Sequence, residues 1–281
     1  MTNQSNNSST VFTLSKCSAG GSLVFFPDFG GNVLYAKPIV QKLSKDINCY
    51  GVRLAHDMVE NLDNLSLIDT AARFAKDIAE ANLPEPINVC GFSFAGYFAF
   101  ETAHWLSKSH GIFSRLFILD TIIRSKSFYA RLVQSPLLEM LYAVRFLCSN
   151  WHHLVLRKID PMILNEYGQI RFDLSQHPES YRHIIRQMYR MMSEYNPREW
   201  EAGAAIVLKA GQNNAAWNYG IGDLGWNRFI HGPVIMHNVP GDHLSMLRDP
   251  DYANVLTTIL SELLRLNGKE TGNAKFNSSG D

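Results

Sequence analysis

The stretch Ile87-Asn88-Val89-Cys90-Gly91-Phe92-Ser93-Phe94-Ala95-Gly96-Tyr97-Phe98-Ala99-Phe100-Glu101 constrains this chain more than any other. An apolar run stops at Gly91, a serine stands between two phenylalanines, and small residues lead into a helical pattern, which reads as strand, tight turn, helix. A serine at such a turn sits on a strained bend that lifts its hydroxyl above a sheet, and the next N–H points at the same spot. The wording is nearly Gly-x-Ser-x-Gly, with Ala95 in the fifth position and the glycine one later, at Gly96.

Units of the same kind surround it. Ser22 to Phe26 is a short apolar run that stops at Pro27, followed by Asp28-Phe29-Gly30-Gly31 and an amphipathic stretch from Asn32 to Leu43. Asn48 to Leu54 reads as a strand, Leu67 to Ala81 as a helix, and Arg115 to Leu119 as another buried strand ending in Asp120. Strands alternating with helices predict a mostly parallel sheet covered on both faces, with ligands bound beyond the carboxyl ends of the strands. The alternation lapses after Ile122, where helical stretches such as Ser135 to Cys148 and Glu179 to Tyr195 take over, and resumes with Ala205 to Lys209, Pro233 to His237 and a helix from Tyr252 to Leu266. The expected organisation is a core of residues 15–121 and 201–267, a helical lid inserted at 122–200, and disordered tails at 1–14 and 268–281.

At 281 residues the chain is long enough to bury a full core as one large α/β domain. Its 26 basic and 26 acidic side chains balance, so no overall field points to nucleic acid or an anionic membrane. No apolar run approaches the roughly 18 residues of a membrane helix. Cys17, Cys49, Cys90 and Cys148 lie far apart, which argues against a zinc or redox motif and predicts reduced thiols in the cytoplasm. Met1 to Thr10 has neither the basic start nor the apolar centre of a secretory signal.

A serine hydroxyl is a poor nucleophile at neutral pH and needs a base within hydrogen-bond reach and a third group to orient that base. At this type of turn the partners follow in the order Ser, acid, His. Asp120 ends a strand at the rim where Ser93 sits, and His243 lies in the turn Gly241-Asp242-His243-Leu244-Ser245 before the last helix. Asp57 and Asp242 are alternative acids, and His243 has nine rivals among the histidines, including the pair His152-His153 within the lid. The oxyanion of acyl transfer needs preorganised N–H donors; Phe94 supplies one from the turn, and the loop at Asp28 is expected to supply the second. Arg182, Arg186 and Arg190 recur every fourth residue, as a solvated helix face or as a docking stripe for an acidic partner.

The wording of Phe26-Pro27-Asp28-Phe29-Gly30-Gly31 with Tyr35, of Gly91-Phe92-Ser93 through Glu101, of Leu119-Asp120-Thr121, of Leu224-Gly225-Trp226 and of Gly241-Asp242-His243-Leu244-Ser245-Met246-Leu247 resembles the thioesterase domains of nonribosomal peptide and polyketide synthases. The resemblance runs from about Leu23 to Leu266, most of the lid excepted. It implies an α/β-hydrolase fold in which Ser93 is the nucleophile, Asp120 the acid and His243 the base, with the N–H groups of Asp28 and Phe94 as oxyanion donors. It also implies a monomer that binds no cofactor or metal of its own and takes an acyl or peptidyl chain from the phosphopantetheine thioester of a carrier protein. Two readings of other classes share the fold: a carboxylester or lipase-like hydrolase, and a non-catalytic acyl-binding scaffold. The first loop departs from the His-Pro-Ala/Gly-Gly-Gly-like wording common in that family, and its Asp28 is expected to point away from the oxyanion site.

Overall fold

A computed structural model of the chain describes residues 9–18, 20–112, 114–123, 177–201, 203–212 and 222–270, the side chains of 266–270 excepted. Its strands are β1 (Val11–Ser15), β2 (Ser22–Phe25), β3 (Asn48–Val52), β4 (Ile87–Phe92), β5 (Arg115–Leu119), β6 (Ala205–Ala210) and β7 (Val234–Val239). The helices are α1 (Lys37–Leu43), α2 (His56–Glu60), α3 (Leu67–Glu80), α4 (Ala95–His110), α5 (Glu179–Glu194), α6 (Ser245–Arg248) and α7 (Pro250–Glu270). The strands form one sheet in the order β1-β3-β2-β4-β5-β6-β7. Every neighbouring pair is parallel except β1 with β3.

Strands β2 to β6 are mostly apolar and buried at nearly every position, because side chains alternate between two faces that are both covered. Val24, Val89, Leu116, Ile118 and Val207 pack against α3 and α4 through residues such as Phe74 and Phe98. Leu23, Phe25, Cys90, Phe117, Leu119 and Leu208 face the other way, onto Ile39 and Leu43 of α1 and Leu256 and Leu260 of α7. This is the expected α/β-hydrolase architecture of a mostly parallel sheet with helices on both sides.

Two expected boundaries move. Residues 11–14 were expected in a disordered tail, yet Val11–Ser15 is an edge strand paired with β3. Thr10 is fully buried, its N–H donates to Asp77 Oδ2 at 3.1 Å, and the Phe12 ring lies where a side chain at Gly51 would be. An edge strand half open to water carries polar residues between its apolar ones, and this concealed it. At the other end α7 passes the expected limit at 268 and reaches Glu270. Extending a formed helix through one glycine costs only about 1 kcal/mol relative to alanine. The expected helix at Ser135 to Cys148 lies outside the described residues, and the one at Glu179 to Tyr195 is α5.

Helix α4 grips both ends of the segment between β5 and β6. Near the entry, Tyr97 Oη donates to the Ile122 carbonyl at 2.6 Å. Near the exit, the fully buried Glu101 accepts from Tyr195 Oη at 2.8 Å and from Arg198 at 2.6 and 3.2 Å. The Tyr97 and Tyr195 rings touch, with centroids 5.3 Å apart. A buried carboxylate is tolerated only with such partners, so the helix that begins beside Ser93 also fixes where this segment leaves and rejoins the core.

Candidate active site

Ser93 is the single residue between β4 and the Phe94 N-cap of α4, and its φ of 53° lies in the left-handed region. Such a backbone persists only where its surroundings hold it. Ser93 N–H donates to the Leu119 carbonyl at 3.0 Å, and the Ser93 carbonyl accepts from Gly96 N–H at 3.0 Å and from Thr121 Oγ1 at 2.7 Å.

Asp120 follows β5 with a φ of 47°. Its N–H donates to the Leu208 carbonyl at 2.8 Å, and its Oδ1 accepts from Ala210 N–H at 2.9 Å. Oδ2 is left facing His243 Nδ1 at 2.7 Å, while His243 Nε2 stands 2.9 Å from Ser93 Oγ. With the Nδ1 proton on the carboxylate side, Nε2 presents its lone pair to the serine hydroxyl. The turn behind Asp120 is braced by Trp226, fully buried, whose Nε1 donates to the Thr121 carbonyl at 2.7 Å, and by Ile123 N–H on the Leu224 carbonyl at 2.9 Å.

The His243 turn is closed on itself. Asp242 N–H donates to Ser245 Oγ at 2.8 Å, and Asp242 Oδ1 accepts from Leu244 N–H at 2.9 Å and Ser245 N–H at 2.8 Å. The Ser245 N–H bond leads in holding the Asp242 carboxyl below its ordinary range. The Phe92 ring stacks on the imidazole with centroids 4.7 Å apart. Asp242 is therefore spent on its own turn, and Asp57 pairs with Arg73 at 3.2 Å on the surface, so of the three candidate acids only Asp120 meets His243. Elsewhere His104 stacks on Trp200, and His56, His183 and His231 approach Glu60, Asp63 and Glu199. His152 and His153 lie outside the described residues.

The two expected oxyanion donors fare differently. Phe94 N–H has no acceptor among the described residues. Asp28 N–H, by contrast, already donates to the Asn32 carbonyl at 2.8 Å, so this donor is committed to closing its own loop. The Asp28 side chain also turns into the loop, with Oδ1 accepting from Gly30 N–H at 2.8 Å. Helix α5 roofs this loop: the Phe29 ring is stacked between Phe94 (4.4 Å) and Tyr189 (4.1 Å), and a Cβ on Gly30 would meet the Tyr181 hydroxyl.

Burial pushes the Asp28 carboxyl above its ordinary range, and the Gly30 and Asn32 N–H bonds only partly offset this. The folded chain thus binds that proton more tightly than the unfolded one, and stability falls as pH rises from the ordinary carboxylate range through the raised value. Asp28→Asn keeps the acceptor oxygen and removes the charge. It is expected to melt at a higher temperature than wild type at neutral pH, with the advantage disappearing in acid once Asp28 is protonated in both states; melts from acid to neutral pH check this.

The arginine stripe of α5 is largely engaged by the protein itself. Arg182 and Arg186 pair with Glu179, and Arg190 pairs with Glu194 at 2.8 Å and donates to the Leu62 and Leu65 carbonyls at 3.0 and 2.8 Å. Among the described residues no cluster of His, Cys, Asp and Glu is arranged to hold a metal ion.

A profile of the family described as Thioesterase domain matches residues 22–263. The chain belongs to the thioesterase domain family. Among similar proteins, chondramide synthase cmdD of Chondromyces crocatus is 23% identical over 280 residues, spanning 90% of this chain and 7% of that protein. The non-reducing polyketide synthase tpeB of Talaromyces stipitatus is 22% identical over 221 residues, 69% of this chain and 10% of that protein. The chain thus spans a tenth or less of the length of these curated relatives. Among solved structures, the wild-type Vlm2 thioesterase domain superposes with a TM-score of 0.57 at 20% identity, covering 90% of this chain and 96% of that one, which shows a shared fold.

Proposed function

We propose that this thioesterase domain is a serine hydrolase of nonribosomal peptide or polyketide assembly, taking an acyl or peptidyl chain from the phosphopantetheine thioester of a carrier protein and releasing it. The observation that carries the reading is the run of hydrogen bonds from Asp120 through His243 to Ser93. Ser93 Oγ attacks the thioester carbonyl carbon as its proton passes to His243 Nε2, and the carbonyl π pair becomes an oxyanion. Collapse of that oxyanion breaks the C–S bond, the imidazolium returns the proton to the leaving thiolate, and an acyl-serine remains. Water, or a hydroxyl or amine of the chain itself, then gives its proton to His243 and attacks the ester carbonyl, releasing a linear or cyclic product and restoring the Ser93 hydroxyl. Asp120 keeps the imidazole in the tautomer this sequence requires.

The family membership and the names of the large synthases that this chain resembles support the carrier-borne substrate. The chain holds no cofactor in this reading, since the pantetheine arrives with the partner. In this reading the segment 122–200 serves as the lid, and Tyr97 and Glu101 hold its described ends, at Ile122 and at Tyr195 and Arg198. Among the described residues no helix is long and apolar enough to cross a membrane.

A fluorophosphonate probe tests the nucleophile. Intact-mass spectra are expected to gain one probe on wild type and none on Ser93→Ala, and an unlabelled wild type would favour the acyl-binding scaffold. Turnover of acylated carrier proteins against simple esters of the same acyl chain then separates a thioesterase from a carboxylester hydrolase, and the product masses distinguish linear from cyclic release.

A further inference from the structure

Thr121 reaches from the acid turn to the serine turn, and its hydrogen bond falls on one particular peptide. Its Oγ1 lies 2.7 Å from the Ser93 carbonyl oxygen and 3.4 Å from that of Leu119, so the single hydroxyl proton goes to Ser93. The Ser93 carbonyl and the Phe94 N–H belong to the same trans peptide, in which the two groups point in opposite directions. Whatever fixes the carbonyl therefore aims the N–H. Ser93 holds a φ of 53°, a backbone that needs support from its surroundings. Phe94 N–H offers none, since it has no acceptor among the described residues. The support comes through the carbonyl, from Gly96 N–H at 3.0 Å on the helix side and from Thr121 on the strand side.

The donor is held as closely as the acceptor. Thr121 is 2% exposed, and its own carbonyl accepts from Nε1 of the fully buried Trp226 at 2.7 Å. On one side of it Asp120 N–H donates to the Leu208 carbonyl at 2.8 Å, and on the other the Ile122 carbonyl accepts from Tyr97 Oη at 2.6 Å. A β-branched side chain has few rotamers open to it. Here it fills the space that a side chain at position 96 would need, because a Cβ on Gly96 would fall 2.1 Å from Thr121 Oγ1 and 2.7 Å from Thr121 Cβ. Gly96 is thus what lets the hydroxyl come within reach of the Ser93 carbonyl. In the serine-hydrolase reading above, on which this rests, we infer that Thr121 is a positioning residue for the oxyanion, its hydroxyl orienting and polarising the Ser93–Phe94 peptide so that Phe94 N–H meets the new charge. A carbonyl that accepts a hydrogen bond gathers electron density on its oxygen and leaves its N–H a stronger donor. Thr121 transfers no proton. The clamped pair Asp120-Thr121 then serves both charges of acyl transfer, the carboxylate facing the imidazolium and the hydroxyl acting through the peptide on the oxyanion.

Thr121→Val removes the hydroxyl at nearly constant shape, and Thr121→Ser keeps it. The readouts are the rate of Ser93 phosphonylation by a fluorophosphonate across pH, the Phe94 amide resonance by NMR, and thermal unfolding. Thr121→Val is expected to slow phosphonylation about tenfold, part of the 10²–10³ that losing a whole oxyanion donor costs. Its Phe94 amide proton should move upfield as the peptide loses polarisation, and Thr121→Ser should restore both the rate and the resonance. The midpoint of the pH profile should stay where it is, because the bond from Asp120 to His243 is untouched. A folded Thr121→Val that reacts like wild type, or one whose Phe94 amide does not move, would overturn the inference and leave the serine-hydrolase reading in place. So would a slower reaction with a displaced pH midpoint, which would mean that Thr121 acts through Asp120 and His243 instead. A lower unfolding temperature with the rate unchanged would make Thr121 a structural residue only. Should Thr121→Val fail to fold, Thr121→Ala removes the same hydroxyl and takes its place in each comparison. An unreactive wild type would overturn both the positioning role and the reading beneath it.

Discussion

Asp120→Asn is expected to lower thioester turnover by about four orders of magnitude without unfolding the chain, by analogy with the loss seen when a triad aspartate becomes an amide. The reason lies in the second bond of the carboxylate. Oδ1 accepts from Ala210 N–H at 2.9 Å, while Oδ2 faces His243 Nδ1 at 2.7 Å. An asparagine has one acceptor oxygen and one donor nitrogen. Turning the oxygen to Ala210 satisfies the fixed backbone donor and aims the NH₂ group at His243 Nδ1, which must then accept. The proton moves to Nε2, the nitrogen 2.9 Å from Ser93 Oγ, and the imidazole can no longer take the serine proton. Flipping the amide would restore the tautomer only by setting two donors against each other at Ala210, which costs about 1–3 kcal/mol for a buried unsatisfied group, and in either orientation the neutral amide no longer stabilises the imidazolium that forms. The backbone should tolerate the change, because a φ of 47° is one that asparagine adopts more readily than most residues. Steady-state turnover and a thermal melt on the same sample check both halves. Near-wild-type turnover would remove Asp120 from the mechanism, and neither Asp57 nor Asp242 is free in this structure to replace it.

The parts of this molecule that were legible in the sequence are those whose signal is local. β2, β3, β4, β5 and β6 show as apolar runs because parallel strands covered on both faces have no polar side to display. Asp120 and His243 could be chosen because each stands at the end of a readable element, in the order this type of turn requires. What stayed hidden depends on partners distant in the chain or on turn geometry. The Val11–Ser15 strand becomes visible only opposite β3, where Gly51 leaves room for the Phe12 ring. Glu101 reads as one more polar helix residue until Tyr195 and Arg198, 94 and 97 positions later, come to rest on it. The fate of Asp28 N–H was set by the carbonyl of Asn32, and residue types alone do not announce that the loop folds back on itself there. Thr121, which ties the acid turn to the serine turn through the Ser93 carbonyl, also gave no separate signal.

Gly91→Ala is expected to abolish folding, and it shows which glycines the serine turn needs. A Cβ at Gly91 would lie 2.2 Å from the Ala95 carbonyl oxygen, 2.4 Å from the Ala95 carbonyl carbon and 2.6 Å from Gly96 N. All three are backbone atoms of the turn itself, so no side chain can rotate away to relieve the overlap. Relief would require β4 to withdraw from the first turn of α4. But β4 is held in register between β2 and β5, and Ser93 N–H is tied to the Leu119 carbonyl at 3.0 Å. The expected loss exceeds about 4–5 kcal/mol, a large part of the stability of an ordinary domain. The fifth position behaves differently, because the Ala95 methyl is already accommodated there with the residue fully buried. Ala95→Gly, which would complete the Gly-x-Ser-x-Gly wording, should therefore cost at most about 0.5–1 kcal/mol through added backbone freedom. The departure from the motif at Ala95 is thus harmless, since the close approach it stands for is made at Gly91 and again at Gly96, where a Cβ would fall 2.1 Å from Thr121 Oγ1. Soluble yield and thermal melts of the two single variants check the contrast, and a folded Gly91→Ala with normal turnover would show that β4 and α4 are less tightly joined than these distances require.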